Sequence, residues 1–289
     1  MNQPASGNQP ATAGVAESAA YDPAVALEFF KAAGKPAAVR QGEKIFEQNE
    51  REIPLIKRSK VYLLLKGEIA LSANGKALGS VRPGEIFGEM AVITHAPRSA
   101  SAQAKADSSV IALDDKAFQA GLAKKPQFAL MMMSVMIHRL RETIAQLKEK
   151  NALSEDAQLS ESAAFDATGL TQLVQGLGDD TPVFYREGQS IVAEGQKGLR
   201  MYAVLEGRVR VSIGGKVVER LGPGGVFGEA ALIHSSSTRI ADAVAETDCS
   251  LLPIDRKAFL SLVKVSPEFA QALLTSLASR LRNLTAKVR

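Results

Sequence analysis

Phe87-Gly88-Glu89-Met90-Ala91-Val92-Ile93-Thr94-His95-Ala96-Pro97-Arg98-Ser99-Ala100 has a second version further along the chain. It reads Phe227-Gly228-Glu229-Ala230-Ala231-Leu232-Ile233-His234-Ser235-Ser236-Ser237-Thr238-Arg239-Ile240-Ala241. Each stretch has a Gly-Glu, a short apolar run, and an Arg nine or ten positions after the Glu. The likeness spreads outward in both directions. Lys66-Gly67-Glu68 matches Glu206-Gly207-Arg208 at the same offset of 140 as the two Gly-Glu pairs. Asp115-Lys116-Ala117-Phe118 matches Arg256-Lys257-Ala258-Phe259, and Pro126 matches Pro267, at 141. Upstream, Arg40-Gln41-Gly42 matches Arg186-Glu187-Gly188 at 146, so the first copy carries six extra residues around Glu50–Lys60. Insertions between elements are what surface loops tolerate. A period near 140 is a whole domain and not a solenoid unit, so one domain is present twice in tandem.

Composition narrows the class. A chain of 289 residues suits two ordinary domains. Aromatics make up 5% and Trp is absent, so both cores must be aliphatic. One cysteine, Cys249, excludes a disulfide framework and a cysteine metal site, and three scattered His offer no metal cluster. The net charge of +4 is too mild to argue for nucleic acid or an anionic surface. No apolar run is long enough for a transmembrane helix, and no secretory signal is visible. Residues 1–20 are too polar to bury a face and are expected to be disordered.

Short apolar runs punctuated by glycine turns fill Gly42 to Ala117. Val61–Leu65 and Ile69–Leu71 flank Lys66-Gly67, and Asn74-Gly75 is a hairpin signal. The second copy repeats this with Met201–Leu205, Val209–Ile213 and a Gly214-Gly215 turn. Evenly spaced short strands mean a sandwich or barrel. Helices follow each set. After Pro126, Leu130, Met133, Ile137, Leu140, Ile144 and Leu147 recur at spacings of three and four, and Leu274, Leu277, Leu281, Leu284 and Val288 do so after Pro267. Each seam is expected to pack on its own barrel. The chain is thus mainly β with helices (α+β). Its parts are a disordered segment over 1–20, a first domain over 21–152, a linker over 153–165 and a second domain over 166–289.

The duplicated stretch has a chemistry. A glycine at the opening of a turn lets backbone N–H groups approach an anion. In the first copy these are Gly88, Met90 and Ala91; in the second, Gly228, Ala230 and Ala231. An Arg adds a permanent forked cation for phosphate oxygens, here Arg98 and Arg239. A carboxylate would oppose an anion, but it is apt for a sugar hydroxyl. Glu89 and Glu229 therefore read as sugar ligands, each held near its Arg by mutual attraction. Ser99-Ala100 and Ile240-Ala241 are small enough to leave room beside the Arg.

This pattern resembles the phosphate-binding cassette of the cyclic nucleotide-binding domain family, which includes the catabolite activator protein and protein kinase regulatory subunits. The resemblance covers about 25–150 and 165–289. It implies two double-stranded β-helix (jelly-roll) domains, each followed by C-terminal helices. It also implies that Glu89 and Glu229 hold a ribose 2′-hydroxyl and that Arg98 and Arg239 hold a cyclic phosphate. Ser99 falls where a hydroxyl can touch the phosphate or the purine; Ile240 offers none, and Thr238 replaces Pro97.

The implied function is a non-catalytic cytoplasmic sensor that moves a helix on binding cyclic nucleotide and signals to a protein partner. No metal or cofactor is expected. The regulatory ligand is cAMP first, with cGMP and cyclic di-GMP as alternatives. A ligand-free scaffold is a rival, and a homodimer through the post-barrel helices is another outcome. A transcription regulator is a less expected reading, because the last strand and helix take up the residues after Arg239 and none are left for a helix-turn-helix. No nucleophile–base set suggests an enzyme.

Overall fold

A computed structural model describes residues 21–51, 59–153, 161–178, 181–233 and 238–288. The disordered segment expected over 1–20 and most of the insertion expected around Glu50–Lys60 lie outside the described residues. The chain divides into two compact units, residues 1–121 and 122–289.

The first unit opens with α1 (Pro23–Ala33), capped by the Asp22 carboxylate, which accepts from the Ala24 and Val25 amides. Eight short strands follow: β1 (Lys35–Val39), β2 (Lys44–Phe46), β3 (Lys60–Lys66), β4 (Ile69–Ala73), β5 (Lys76–Val81), β6 (Ile86–Phe87), β7 (Ser101–Ala104) and β8 (Ser108–Asp114). The turn α2 (Glu89–Thr94) sits between β6 and β7, and α3 (Asp115–Lys124) crosses the unit boundary. The strands form two antiparallel sheets, β1-β8-β3-β6 and β2-β7-β4-β5. Asn74 and Gly75 have φ of 52° and 73°, the left-handed pair that a tight hairpin requires. Val39, Phe46, Leu64, Ile69, Val81 and Phe87 form the core between the sheets.

The second unit begins with α4 (Pro126–Glu149). Then come β9 (Glu161–Ser162), α5 (Ala167–Leu177), β10 (Val183–Tyr185), β11 (Ser190–Val192), β12 (Arg200–Glu206), β13 (Val209–Ile213) and β14 (Lys216–Leu221). They are followed by β15 (Val226–Phe227), α6 (Ala230–Ile233), β16 (Asp242–Ala245), β17 (Cys249–Asp255), α7 (Arg256–Val265) and α8 (Pro267–Val288). The sheet β10-β17-β12-β15 repeats β1-β8-β3-β6 strand for strand. The other sheet, β11-β16-β13-β14-β9, gains a fifth strand, because β9 adds in parallel to β14. The duplicated β-roll is therefore present in both copies.

Two features depart from the sequence expectation. First, α4 packs along α8. Its Leu140, Ile144 and Leu147 are buried, as are Leu274, Leu277 and Leu281 of α8. An apolar stripe drives burial without naming its partner, and here the two stripes meet. Second, the polar connection expected as a linker over 153–165 supplies β9. Met131, Met132 and Met133 are buried, as expected of helix packing, and His95 is exposed.

Cys249 is buried at the start of β17. Burial pushes its thiol pKa up, and Asp248 adds to the rise. A raised pKa means less thiolate at a given pH. At pH 8, iodoacetamide is expected to alkylate the folded chain at least ~10-fold more slowly than the denatured one. Equal rates, read by mass spectrometry, would contradict this placement.

Candidate functional site

In each copy the glycine of the duplicated phrase is left-handed, with φ of 78° at Gly88 and 86° at Gly228. It turns the chain from a two-residue strand into a short helix, α2 or α6. The strand is pinned on one side: Tyr62 faces Phe87 in β3–β6, and Tyr202 faces Phe227 in β12–β15. Both pairs stack, with ring centroids at 5.1 and 5.3 Å. The arginine is pinned on the other side. The Arg98 amide donates to Glu50 O at 2.9 Å, and the Asn49 amide donates to Arg98 O at 2.9 Å. The Arg239 amide donates to Gln196 O at 2.8 Å, and the Gly195 amide donates to Arg239 O at 2.9 Å. Glu89, Arg98, Glu229 and Arg239 are all buried, which is rare for charged side chains unless they are paired.

The arginines bond to backbone. Arg98 donates from Nη1 to Gly88 O and from Nη2 to Lys60 O, both at 2.8 Å, and lies over the Phe46 ring at 4.2 Å. Arg239 donates to Gly228 O at 3.0 Å and to Arg200 O at 2.7 Å. The attraction expected between Glu229 and its Arg acts through space, since the charge of Glu229 favours the Arg239 cation. Buried carbonyls need a donor, and the guanidinium fork supplies two at once. Burial pulls the Arg239 pKa below the ordinary arginine value, with Tyr202 and Glu229 opposing. These two carbonyls take two of its five N–H donors.

Glu229 has a partner that sequence reasoning missed. Arg280 of α8 donates from Nη1 to Glu229 Oε1 at 2.8 Å and from Nε to Glu219 Oε2 at 2.9 Å, and its Nη2 reaches Val226 O. Burial opposes that charge, yet the two carboxylates outweigh it and hold the guanidinium above its usual pKa. A signal was available: Arg280 falls between Leu277 and Leu281 inside the apolar seam, where a charge demands buried partners. Glu229 Oε2 is buried with no hydrogen-bond partner.

These groups line a cavity of about 540 Å³ in the second unit. All seven residues named for the second copy line it: Gly228, Glu229, Ala230, Ala231, Arg239, Ile240 and Ala241. One expected anion donor is already engaged, since the Ala231 amide donates to Gly228 O at 3.2 Å. Leu140 and Ile144 of α4 and Arg280, Asn283 and Leu284 of α8 complete the wall. Arg141 of α4 grips the cassette from outside the cavity. It donates to Thr238 Oγ1 at 3.2 Å and to Thr238 O at 2.8 Å, so the Thr that replaces Pro97 has a structural use. In the first copy, Gly88, Met90, Ser99 and Ala100 are partly buried around Glu89, Ala91 and Arg98. Among the described residues no group of three His, Cys, Asp or Glu is placed to hold a metal, and no helix is long and apolar enough to cross a membrane.

The cyclic nucleotide-binding domain model matches residues 37–125 and 182–266, more than half of the chain and both copies of the phrase. The chain belongs to the cyclic nucleotide-binding domain family. Its relatives include a cGMP-dependent protein kinase of Toxoplasma gondii, 28% identical over 81% of this chain and 20% of the kinase. The cAMP-dependent protein kinase regulatory subunit of Schizosaccharomyces pombe is 28% identical over 77% of this chain and 48% of the subunit. The chain thus spans less than half the length of either. Among solved structures, the regulatory domain of Toxoplasma gondii PKA with cAMP is 22% identical, covers 90% of each chain and has a TM-score of 0.32. The membership rests on the family model and not on that superposition.

Gly228 of the second cyclic nucleotide-binding domain gives a direct check on this geometry. A Cβ there would run into Arg239 Nη1 and lie 3.2 Å from Arg200 O, and left-handed backbone costs a non-glycine residue about 1–2 kcal/mol. Gly228→Ala is therefore expected to lower the unfolding free energy by about 2 kcal/mol or more, read by urea denaturation. An unchanged midpoint would contradict the placement of Arg239 against Gly228.

Proposed function

We propose that this chain is a non-catalytic cyclic-nucleotide sensor, with cAMP as its ligand, that reports to a protein partner. The observation that carries the reading is Glu229. Glu229 lines the cavity with one carboxylate oxygen held by Arg280 and the other buried without a partner, and an unpaired buried acceptor calls for a hydrogen-bond donor. A ribose hydroxyl is such a donor. Arg239 on the same wall suits the cyclic phosphate, and about 540 Å³ is within the range of small-molecule sites.

The choice of adenine rests on the wall. Val192, Val211, Ile213, Ile240 and Leu284 are aliphatic. Guanine carries more polar edge groups than adenine, and each costs free energy if buried without a partner. By the same chemistry Glu89 and Arg98, with Ser99 beside them, form a second binding site in the first domain. Signalling would arise to the extent that nucleotide prefers one placement of α4 and α8, whose side chains line the second site. The names of the relatives, cAMP- and cGMP-dependent kinases and a kinase regulatory subunit, support a cyclic nucleotide and a protein effector.

Thermal denaturation with cAMP, cGMP and cyclic di-GMP in turn tests the reading. cAMP at about 100 times its Kd is expected to stabilise the fold by about 2.7 kcal/mol, a rise of several degrees. A larger rise with cyclic di-GMP would replace the ligand, and no rise with any would leave a scaffold that has kept the fold.

A further inference from the structure

In sequence α4 follows the first barrel, as α8 follows the second, with Pro126 answering Pro267. In the structure it belongs to the compact unit of residues 122–289. At successive turns α4 meets the second cassette and its cavity. Leu140 and Ile144 line the cavity, and Arg141 beside them reaches Thr238. One turn on, Lys148 pairs with Glu194, whose amide donates to Asp242 Oδ1 at 2.8 Å, and Asp242 lines the same cavity. This stretch of α4 is a fixed base, since Leu140, Ile144 and Leu147 are buried and Lys148 is anchored.

The two cassettes differ at the residue before the arginine, which is Pro97 in the first and Thr238 in the second. Thr238 offers a hydroxyl and a carbonyl on one residue, and the Arg141 fork takes both, at 3.2 and 2.8 Å. On its other side Thr238 bridges Lys197, and the Arg239 amide next to it donates to Gln196 O at 2.8 Å. The backbone that leads into Arg239 is therefore held between residues 196–197 and α4. Burial alone pulls the Arg141 pKa below the ordinary arginine value, and its Nε is buried without a partner. A side chain needed only for packing would meet neither penalty if it were apolar. What the guanidinium supplies is a grip on the cassette, and contact groups in a binding site must be held to within about 0.5 Å by their supporting residues.

Resting on the reading of Arg239 as the phosphate ligand of the second site, we propose that Arg141 is a positioning residue for that arginine. It fixes the backbone at Thr238, and through it the direction in which the Arg239 fork meets the cyclic phosphate. Arg141 does not touch the ligand. A helix that belongs to the first repeat in sequence is thereby a working part of the second site.

The test uses the two phosphorothioate diastereomers of cAMP, each of which puts sulfur in place of a different exocyclic phosphate oxygen. Sulfur accepts hydrogen bonds weakly, so a fixed fork tells the two apart. Calorimetry is run on full-length chain carrying Glu89→Ala to silence the first cassette. With Arg141 in place, the diastereomers are expected to differ roughly 10- to 100-fold in Kd, the range of one hydrogen bond to a charged group. In Arg141→Met, which keeps an apolar stem and loses the fork, the ratio is expected to fall below about 3-fold. A purely structural role, or a general attraction of the phosphate by one more cation, would weaken both diastereomers alike. The unchanged ratio would overturn the proposal. Arg141→Lys covers the case in which Arg141→Met does not fold, since it keeps the charge but not the two parallel bonds. Its ratio is expected to lie between the other two, and a folded Arg141→Lys chain with the full ratio also overturns the proposal. Equal binding of both diastereomers with Arg141 present overturns the role of Arg141 but leaves the site. Binding of neither of them, nor of cAMP, overturns the reading of the site itself.

Discussion

Arg239→Ala is expected to abolish cyclic-nucleotide binding at the second site and to destabilise the second domain. Two effects combine in this side chain. It satisfies Gly228 O and Arg200 O, and a buried carbonyl stripped of its donor costs about 1–3 kcal/mol. Two such groups make roughly 2–6 kcal/mol, or a fall in melting temperature on the order of 5–20 °C for a domain of this size. It also carries a positive charge on the cavity wall, where Arg280 is neutralised by two carboxylates and Lys287 of α8 is a further lining cation. Loss of two charge-assisted bonds to phosphate implies at least a ~100-fold loss of affinity. Arg239→Lys separates the effects, since it retains the charge but not the fork. Calorimetry on the folded variants reads the binding, and urea denaturation reads the stability. Unimpaired binding in Arg239→Ala would remove the phosphate contact from the account.

Glu229→Ala is expected to have the next largest effect. It removes the acceptor for the sugar hydroxyl, and a hydrogen bond to a charged group of about 1.5–3 kcal/mol corresponds to roughly 10- to 150-fold in Kd. It also removes one of the two carboxylates around Arg280. Deleting one partner of a buried pair costs about 3–5 kcal/mol when the other is left alone. Glu219 still holds Arg280 here, so the loss of stability should fall below that range. A simple electrostatic picture, in which a carboxylate repels the cyclic phosphate, predicts tighter binding in Glu229→Ala. A measured gain in affinity would therefore contradict the sugar-ligand role directly.

The parts legible in the sequence were those fixed by local chemistry. Asn74-Gly75 and Gly214-Gly215 need left-handed backbone and take it, and Gly88 and Gly228 turn the cassette as the phrase required. The 140-residue repeat reappears as two copies of the same four-strand sheet, and the seven residues named in the second cassette share one cavity. What was not legible depends on distant partners. A two-residue strand such as β9 has no periodicity to read, and it exists because β14 offers it an edge. The seams of α4 and α8 announced buried faces, but a stripe of Leu and Met fits a barrel as well as another helix. The attraction between Glu229 and Arg239 was legible as charge complementarity, but the hydrogen bonds were not: the carbonyls of Gly228 and Arg200 claim two of the Arg239 donors, while Arg280 arrives from α8 to claim the carboxylate.

The most direct test of the account is calorimetric titration of the full-length chain with cAMP. Saturable binding at about two nucleotides per chain, falling to about one in Glu229→Ala, is the predicted result. No heat of binding with the folded wild-type chain would contradict it, and would make the cassettes a retained fold without a ligand.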